Sequence, residues 1–207
     1  MPDDSLESAL RARGLKWVAG VDEAGRGPLA GPVAVAAVIL PAGWCCEGLD
    51  DSKKLTPAKR EKLYEIIIKD RRVFWCLSYA ETEEIERINI LRATHAAMAR
   101  AVQGLKKKVH HCQIDGLRVP NFPFAHDGVV GGDGISLSIA AASIIAKVSR
   151  DRLMTEMGRE FPEYGFERHM GYGTPEHLEA LRRHGPCRIH RRTFQPVAQL
   201  TLQLGDC

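Results

Sequence analysis

VAGVDEAGRGPLAGPVAVAAVIL, residues 18–40, is the stretch from which the fold is read. Residues 17–22, WVAGVD, form an apolar run with the composition of a buried strand. Residues 33–40, VAVAAVIL, form a second run that is apolar on both faces. The segment between them, EAGRGPLAGP, is rich in Gly and Pro and reads as a structured turn. Two strands this close, joined by a short loop, predict an antiparallel hairpin. The first strand ends in neighbouring acids, Asp22 and Glu23, directly before a loop whose glycines bare the backbone. Burying two negative charges there demands a compensating reason.

Outward from this hairpin the chain alternates. Thr56 as N-cap and Pro57 at the first position predict a helix carrying Leu63, Ile66 and Ile67. Residues 72–80, RVFWCLSYA, predict a third strand. Residues 81–108 carry one helical periodicity through Ile85, Ile88, Leu91, Met98, Val102 and Leu105, ending in Lys106, Lys107 and Lys108. Residues 110–115, HHCQID, predict a fourth strand that again closes on an acid, Asp115. FAHDGVVGGD predicts a short strand and a tight turn holding Asp133. A long helix follows in SLSIAAASIIAKVSRDRLMTEMG, and its small first turns imply close packing against a sheet or a ligand. Thr174 and Pro175 open a last helix that runs to residue 184. Strands first, then strands alternating with helices, then helices, indicate an α/β sheet covered by helices.

At 207 residues and 44% hydrophobic content, the chain supports one sizeable core. Its net charge of +3 permits a polyanionic partner without demanding one. No apolar run approaches the ~18–20 residues of a membrane span. The polar, acidic N-terminus differs from a secretory signal. Six cysteines without a C-x-x-C pattern read as reduced thiols, so a cytoplasmic location is expected. His110, His111 and Cys112 lie on a strand, which sends neighbours to opposite faces and argues against zinc.

If Asp22, Glu23, Asp115 and Asp133 converge, repulsion in a partly buried pocket raises their pKa values, and a divalent cation relieves it. Hard oxygen donors favour Mg²⁺ or Mn²⁺, and four carboxylates suit two such ions astride a phosphodiester. Taken singly, each acid also fits an ordinary turn or local ion pair. A nucleotide enzyme with GRGPLAG as phosphate loop lacks the Gly-Lys-Ser/Thr signature, and its loop precedes a strand. A non-catalytic nucleic-acid binder has no use for clustered acids that repel phosphate.

These residues closely resemble the opening of bacterial ribonuclease HII. The likeness continues in order through DSKKL, NILRATHAAM, IDG, GDGISLSIAAASIIAKVSRDRLM, YGFERHMGYGT and EHLEALRRHGPCRIHRRTF, from residue 17 to residue 198. The resemblance implies an RNase H-like α/β fold: a central mixed β-sheet flanked by helices, with a helical C-terminal extension. It implies a single catalytic domain over 17–207, with a core at about 17–152, a substrate-binding part at about 153–207, and residues 1–16 as a preceding segment. The implied activity is a metal-dependent endonuclease using Mn²⁺ or Mg²⁺. It cuts the RNA strand of RNA–DNA hybrids, and cuts 5′ of ribonucleotides embedded in a DNA duplex, leaving 3′-hydroxyl and 5′-phosphate ends. A monomer is expected.

By the same resemblance, Asp22, Glu23, Asp115 and Asp133 are the metal-binding catalytic acids, and Asp151 is a further, outer ligand. Gly25, Arg26 and Gly27 match a segment that reads the 2′-hydroxyl with backbone groups; a plain tight hairpin is the alternative. Tyr172 matches a residue that stacks on the sugar beside the cut, or packs over Thr174. Lys53, Lys54, Arg191 and Arg192 are expected to contact phosphate, against a solvated surface as the alternative. Met170 stands where the family often has lysine, which removes one phosphate contact. No role is assigned to His169 or to the terminal TLQLGDC.

Overall fold

The computed structural model describes residues 1–200, so TLQLGDC and with it Cys207 lie outside the described residues. Five strands form one mixed sheet: β1 (Val18–Ala24), β2 (Val33–Ile39), β3 (Phe74–Ala80), β4 (His111–Asp115) and β5 (His126–Val129), in the order β3-β2-β1-β4-β5. The predicted hairpin is present, with β1 antiparallel to β2 and Asp22 opposite Ala36. β2 pairs antiparallel with β3, whereas β1–β4 and β4–β5 are parallel.

The sheet is covered on both faces, which is why β2 is buried along its whole length. Alternation sends Val33, Val35, Ala37 and Ile39 to one face, against α4 (Ile90–Gln103). Ala36 and Val38 face the other way, onto α2 (Pro57–Lys69) and the long α5 (Leu137–Glu160). A third cluster, with Met154, Tyr164, Phe166 and Leu181, joins the end of α5 to α6 (Phe166–His169) and α7 (Pro175–His184). The predicted caps are seen: Thr56 and Thr174 each accept the amide hydrogen of the third residue on, at 3.3 Å.

The small residues at the start of α5 have the predicted consequence. A Cβ on Gly20 in β1 would run into the backbone of Ser138 and Ile139, so glycine permits strand and helix to touch. Ser136 caps α5 by accepting from Ile139 N–H at 3.2 Å.

The structure departs from the sequence reading in two elements. The single helix expected over 81–108 is two, α3 (Thr82–Ile88) and α4. Asn89 between them adopts φ 69° and accepts the Arg92 amide hydrogen at 3.0 Å, a conformation and a cap that asparagine suits. α4 stops at Gln103, and a Cβ on the Gly104 that follows would run into the Cys76 side chain of β3. Lys106–Lys108 therefore lie beyond the helix, and Lys107 Nζ sits 5.0 Å from the Trp17 ring centre. The first residues are also not merely a leader to the sheet. They form α1 (Ser5–Ala12), whose Glu7 is 1% exposed. Its carboxylate accepts from Ser136 Oγ, Ser138 Oγ and Ser138 N–H at 2.6, 2.6 and 2.9 Å. Asp3 adds main-chain hydrogen bonds with Ile135 and Leu137. A negative charge at a helix N-terminus is favourable, and this one arrives from 129 residues earlier in the chain.

Among the described residues the cysteines are free thiols. Cys112 packs in the core while the adjacent His111 pairs with Asp127 at 2.9 Å, the opposite-face arrangement expected of a strand. Among the described residues no helix is long and apolar enough to cross a membrane.

Gly20→Ala should destabilise the chain by about 1–3 kcal/mol through overpacking, read as a lower urea midpoint at unchanged slope. A neutral result would mean that the β1–α5 contact is looser than described.

Candidate active site

Strand register assembles the acids. Val21 of β1 is level with Ile114 of β4, so the next residues, Asp22 and Asp115, emerge side by side at the C-terminal ends of adjacent parallel strands. Such strand ends are where α/β sheets place their sites. Asp115 Oδ1 then accepts the Gly132 amide hydrogen at 2.7 Å, which draws in the 3-10 turn Gly132–Gly134 and Asp133 with it. Glu23 completes the group at the end of β1.

The electrostatics are those of crowded, desolvated acids. Asp22 is 5% exposed, and burial, then Glu23 and Asp115, push its pKa well above the carboxylate range. Burial also raises Glu23, against the opposing pull of Arg26, whose Nη1 lies 3.2 Å from Glu23 Oε1. Burial, followed by Asp115 and Asp51, raises Asp133. Lys53 brings a further positive charge, 3.6 Å from Asp133 Oδ2. Partial burial works to lower its pKa, but Asp133, Asp22, Asp51 and Asp115 outweigh that and keep it raised.

The donor set fits a hard divalent cation. Glu23 Oε2 and Asp133 Oδ2 are buried without a hydrogen-bond partner, an expensive condition for a carboxylate oxygen unless something positive meets it. Among the described residues no three of these acids already enclose one cation-sized point. Asp151, expected as an outer ligand, pairs with Lys147, which lines the cleft, at 2.7 Å and with Arg60 at 3.9 Å.

The cleft, about 520 Å³, runs from Asp22 and Glu23 past Gly25, Arg26 and Gly27 to Tyr172, with Lys53 on its wall. The glycine loop is shaped from beneath. Arg191 is fully buried and donates to the carbonyls of Gly25, Arg26, Pro28 and Gly31 at 2.6–2.9 Å. Arg150, also buried, donates to the carbonyls of Ala30, Pro32 and Met170 at 3.0–3.1 Å. This corrects the expectation for Arg191: its guanidinium is spent on the loop and cannot reach a phosphate. A trans peptide sets N–H opposite C=O. Pinning the Gly25 and Arg26 carbonyls therefore turns the amides of Arg26 and Gly27 away from Arg191, and both residues line the cleft. Gly25 adopts φ 98°, and a Cβ there would collide with the Arg150 side chain.

The Tyr172 loop is tied to the glycine loop by a hydrogen bond from Leu29 N–H to Gly171 O at 2.8 Å. Met170 and Gly171 both have positive φ, and His169 Nδ1 accepts the Gly171 amide hydrogen at 3.2 Å. That is the structural place of His169. Met170 packs on the C-terminal apolar cluster. The Tyr172 ring is 46% exposed and lies over Gly27. Lys54 is exposed, pairs with Asp50 at 3.5 Å and does not line the cleft. Arg192 is exposed, and its amide donates to Glu86 at 2.8 Å. Lys147 and Ser143, missed in the sequence, line the cleft from α5. Their i, i+4 spacing after an alanine run was the available signal.

Comparison with known proteins agrees with this geometry. A family model described as ribonuclease HII matches residues 19–197. A protein named ribonuclease HII from Desulfitobacterium hafniense (strain DSM 10664 / DCB-2) is 54% identical over 202 residues, covering 95% of this chain and 77% of its own length. The crystal structure of ribonuclease H2 from Pyrococcus horikoshii OT3 superposes with a TM-score of 0.76 at 25% identity, covering 92% of this chain and all of its own. The structure of Bst-RNase HIII in complex with Mn²⁺ shares the fold, with a TM-score of 0.68 at 18% identity over 97% of this chain and 72% of its own. A family match that spans both the strand-end acids and the loops facing them places this chain in the ribonuclease HII family, and so among the ribonuclease H endoribonucleases.

Proposed function

We propose that this chain hydrolyses the RNA strand of RNA–DNA hybrids and cuts 5′ of ribonucleotides embedded in duplex DNA, leaving 3′-hydroxyl and 5′-phosphate ends. The observation that carries the reading is the convergence of Asp22, Glu23, Asp115 and Asp133 beside a glycine loop, with two buried carboxylate oxygens that accept no hydrogen bond. These four acids would hold two divalent ions, Mn²⁺ or Mg²⁺, which when bound supply Lewis acidity toward water and phosphate oxygens.

The chain's own groups do the rest. Arg191 presents the amides of Arg26 and Gly27 to the ribose, where the 2′-hydroxyl distinguishes RNA from DNA. The absence of side chains at Gly25 and Gly27 lets that backbone approach a sugar. Tyr172 offers a half-exposed ring to the neighbouring deoxyribose. Lys53 and Lys147 bring positive charge to the scissile phosphate, and Lys54 and Arg192 extend it along the duplex. Residues 17–207 act as one catalytic unit, in the cytoplasm and as a monomer.

Duplexes matched except for one ribonucleotide should be cut only when it is present, and chelator should abolish cutting. Cleavage of the all-DNA duplex, or of either in chelator, would contradict the assignment.

Asp22→Asn should lose more than the ~10–100-fold typical of groups that only orient metal ligands. The same substitution has a stability signature. Asp22, Glu23 and Asp133 have folded-state pKa values above the ordinary range, so the metal-free fold binds more protons than the unfolded chain. Its stability therefore falls as pH rises from the ordinary carboxylate range through those raised values. Asp22→Asn should be more stable than the parent at pH 7 without metal. Mn²⁺ at ~100 times its Kd should stabilise the parent by about 2.7 kcal/mol and Asp22→Asn much less. Calorimetric melts with and without Mn²⁺ check both.

Arg26→Ala should lower kcat/KM on the one-ribonucleotide duplex at least about tenfold while changing stability by less than ~0.5 kcal/mol. Parallel losses of activity and stability would instead favour a plain hairpin.

A further inference from the structure

Behind the Tyr172 loop three histidines are buried together: His169, His177 and His190, at 7%, 0% and 1% exposure. They sit among Tyr164 and Phe166, and the His169 and His177 rings stack with centres 4.6 Å apart. Their hydrogen bonds form a line. The Cys187 amide donates to His190 Nδ1 at 3.0 Å, His190 Nε2 lies 3.0 Å from His177 Nε2, and His177 Nδ1 lies 2.8 Å from Tyr172 O.

The ends of the line determine its polarity. A backbone N–H can only donate, so His190 Nδ1 is an acceptor and a neutral His190 carries its proton on Nε2. That proton points at His177 Nε2, which must accept. His177 then carries its proton on Nδ1 and donates it to the Tyr172 carbonyl, which is itself only an acceptor. Each bond is satisfied by one arrangement of protons, with both rings neutral. A second proton on either ring would set two donors against each other or against the Cys187 amide. Burial, reinforced by the neighbouring histidines, favours neutrality by lowering His177 to about 4 and His190 to about 3. The Cys187 thiol also lies 3.2 Å from His190 Nδ1, and burial holds its pKa up. His169 is fixed separately, accepting at Nδ1 from Gly171 N–H, with Nε2 at 2.9 Å from Tyr164 O.

We infer that His190 and His177 form a one-way neutral relay from the Cys187 amide to the Tyr172 carbonyl, and that they are positioning residues setting the height of the Tyr172 ring over the cleft. The inference rests on Tyr172 meeting the substrate sugar, as proposed above. The loop needs such a hold, because Met170 and Gly171 precede Tyr172 with positive φ and the ring itself is half exposed. The Tyr172 carbonyl takes a second hydrogen bond from Thr174 N–H at 2.8 Å, so the histidine fixes the remaining direction of that peptide.

Two measurements test this on the full chain. The first is ¹⁵N NMR of histidine-labelled protein at pH 7 without substrate, with signals assigned by single substitutions. His177 should be the Nδ1–H tautomer, and His190 and His169 Nε2–H. A His177 protonated on Nε2, or a charged His190, overturns the relay. The second uses the different reach of two amides. In His177→Asn the side-chain NH2 falls near the former Nδ1 and can still donate to Tyr172 O; in His177→Gln it cannot. His177→Gln should raise KM for the one-ribonucleotide duplex about tenfold with kcat within about twofold, and His177→Asn should stay within about twofold on both. Equal behaviour of the two variants, in samples whose melting curves show them folded, overturns the positioning role. If the parent cuts no ribonucleotide-containing duplex, the proposed function fails while the tautomer pattern still stands or falls by NMR.

Discussion

Mutual repulsion among Asp22, Glu23, Asp115 and Asp133 is the constraint around which the rest is arranged. Burial has removed the water that would ordinarily screen them, and three of the four are shifted toward the neutral form as a result. Nothing local makes such a cluster stable. It persists because parallel pairing of β1 with β4 sets two of the acids level, and a hydrogen bond from Gly132 to Asp115 brings in a third segment. A site assembled this way is short of positive charge, and that shortage is its chemical capacity.

The positive charge that the fold does supply is segregated. Lys53 and Lys147 stand at the cleft, where they can respond to solvent and ligand. Arg150 and Arg191 are buried beneath the glycine loop and donate to its carbonyl oxygens, with Arg191 also over the Phe194 ring at 5.1 Å and burial working to lower both. Two buried guanidiniums without a carboxylate form an unusual arrangement, since buried charges are ordinarily paired. Main-chain dipoles take the place of the counter-charge here. The result is a loop whose Gly25, Arg26, Pro28, Ala30 and Gly31 carbonyls are committed inward, which turns the amides of Arg26 and Gly27 away from the arginines. Removing either arginine would therefore change the loop's chemistry as well as its stability.

Stiffness reaches the site from both ends of the chain. At the N-terminal end Glu7 binds the first turn of α5, within a few residues of Asp133. At the C-terminal end Arg191 holds the glycine loop, and the histidine line holds Tyr172. The loops then hold each other through Leu29 and Gly171. Close packing of β1 on α5 at Gly20 connects these supports to the sheet that carries the acids.

Much of this was written in local pattern. The β1–β2 hairpin follows from two apolar runs about a Gly/Pro turn, the helix starts from Thr56 and Thr174, and the β1–α5 contact from small residues. The acids were legible as strand-end charges in apolar surroundings, and the ordered likeness to ribonuclease HII identified them as a group. What the sequence could not disclose were contacts made across long separations. Asn89 divides a helix whose periodicity runs straight through it, because a single left-handed residue leaves the apolar repeat unaltered. Glu7 looked like one more acid in a polar leader, and Arg191 like one more cation in a basic run, yet both are buried against partners more than 100 residues away. The sequence by itself determined which residue types stand at the ends of which strands. Tertiary structure alone decided which charges face the cleft and which face the protein, because that choice depends on burial and on partners brought together only when the sheet closes.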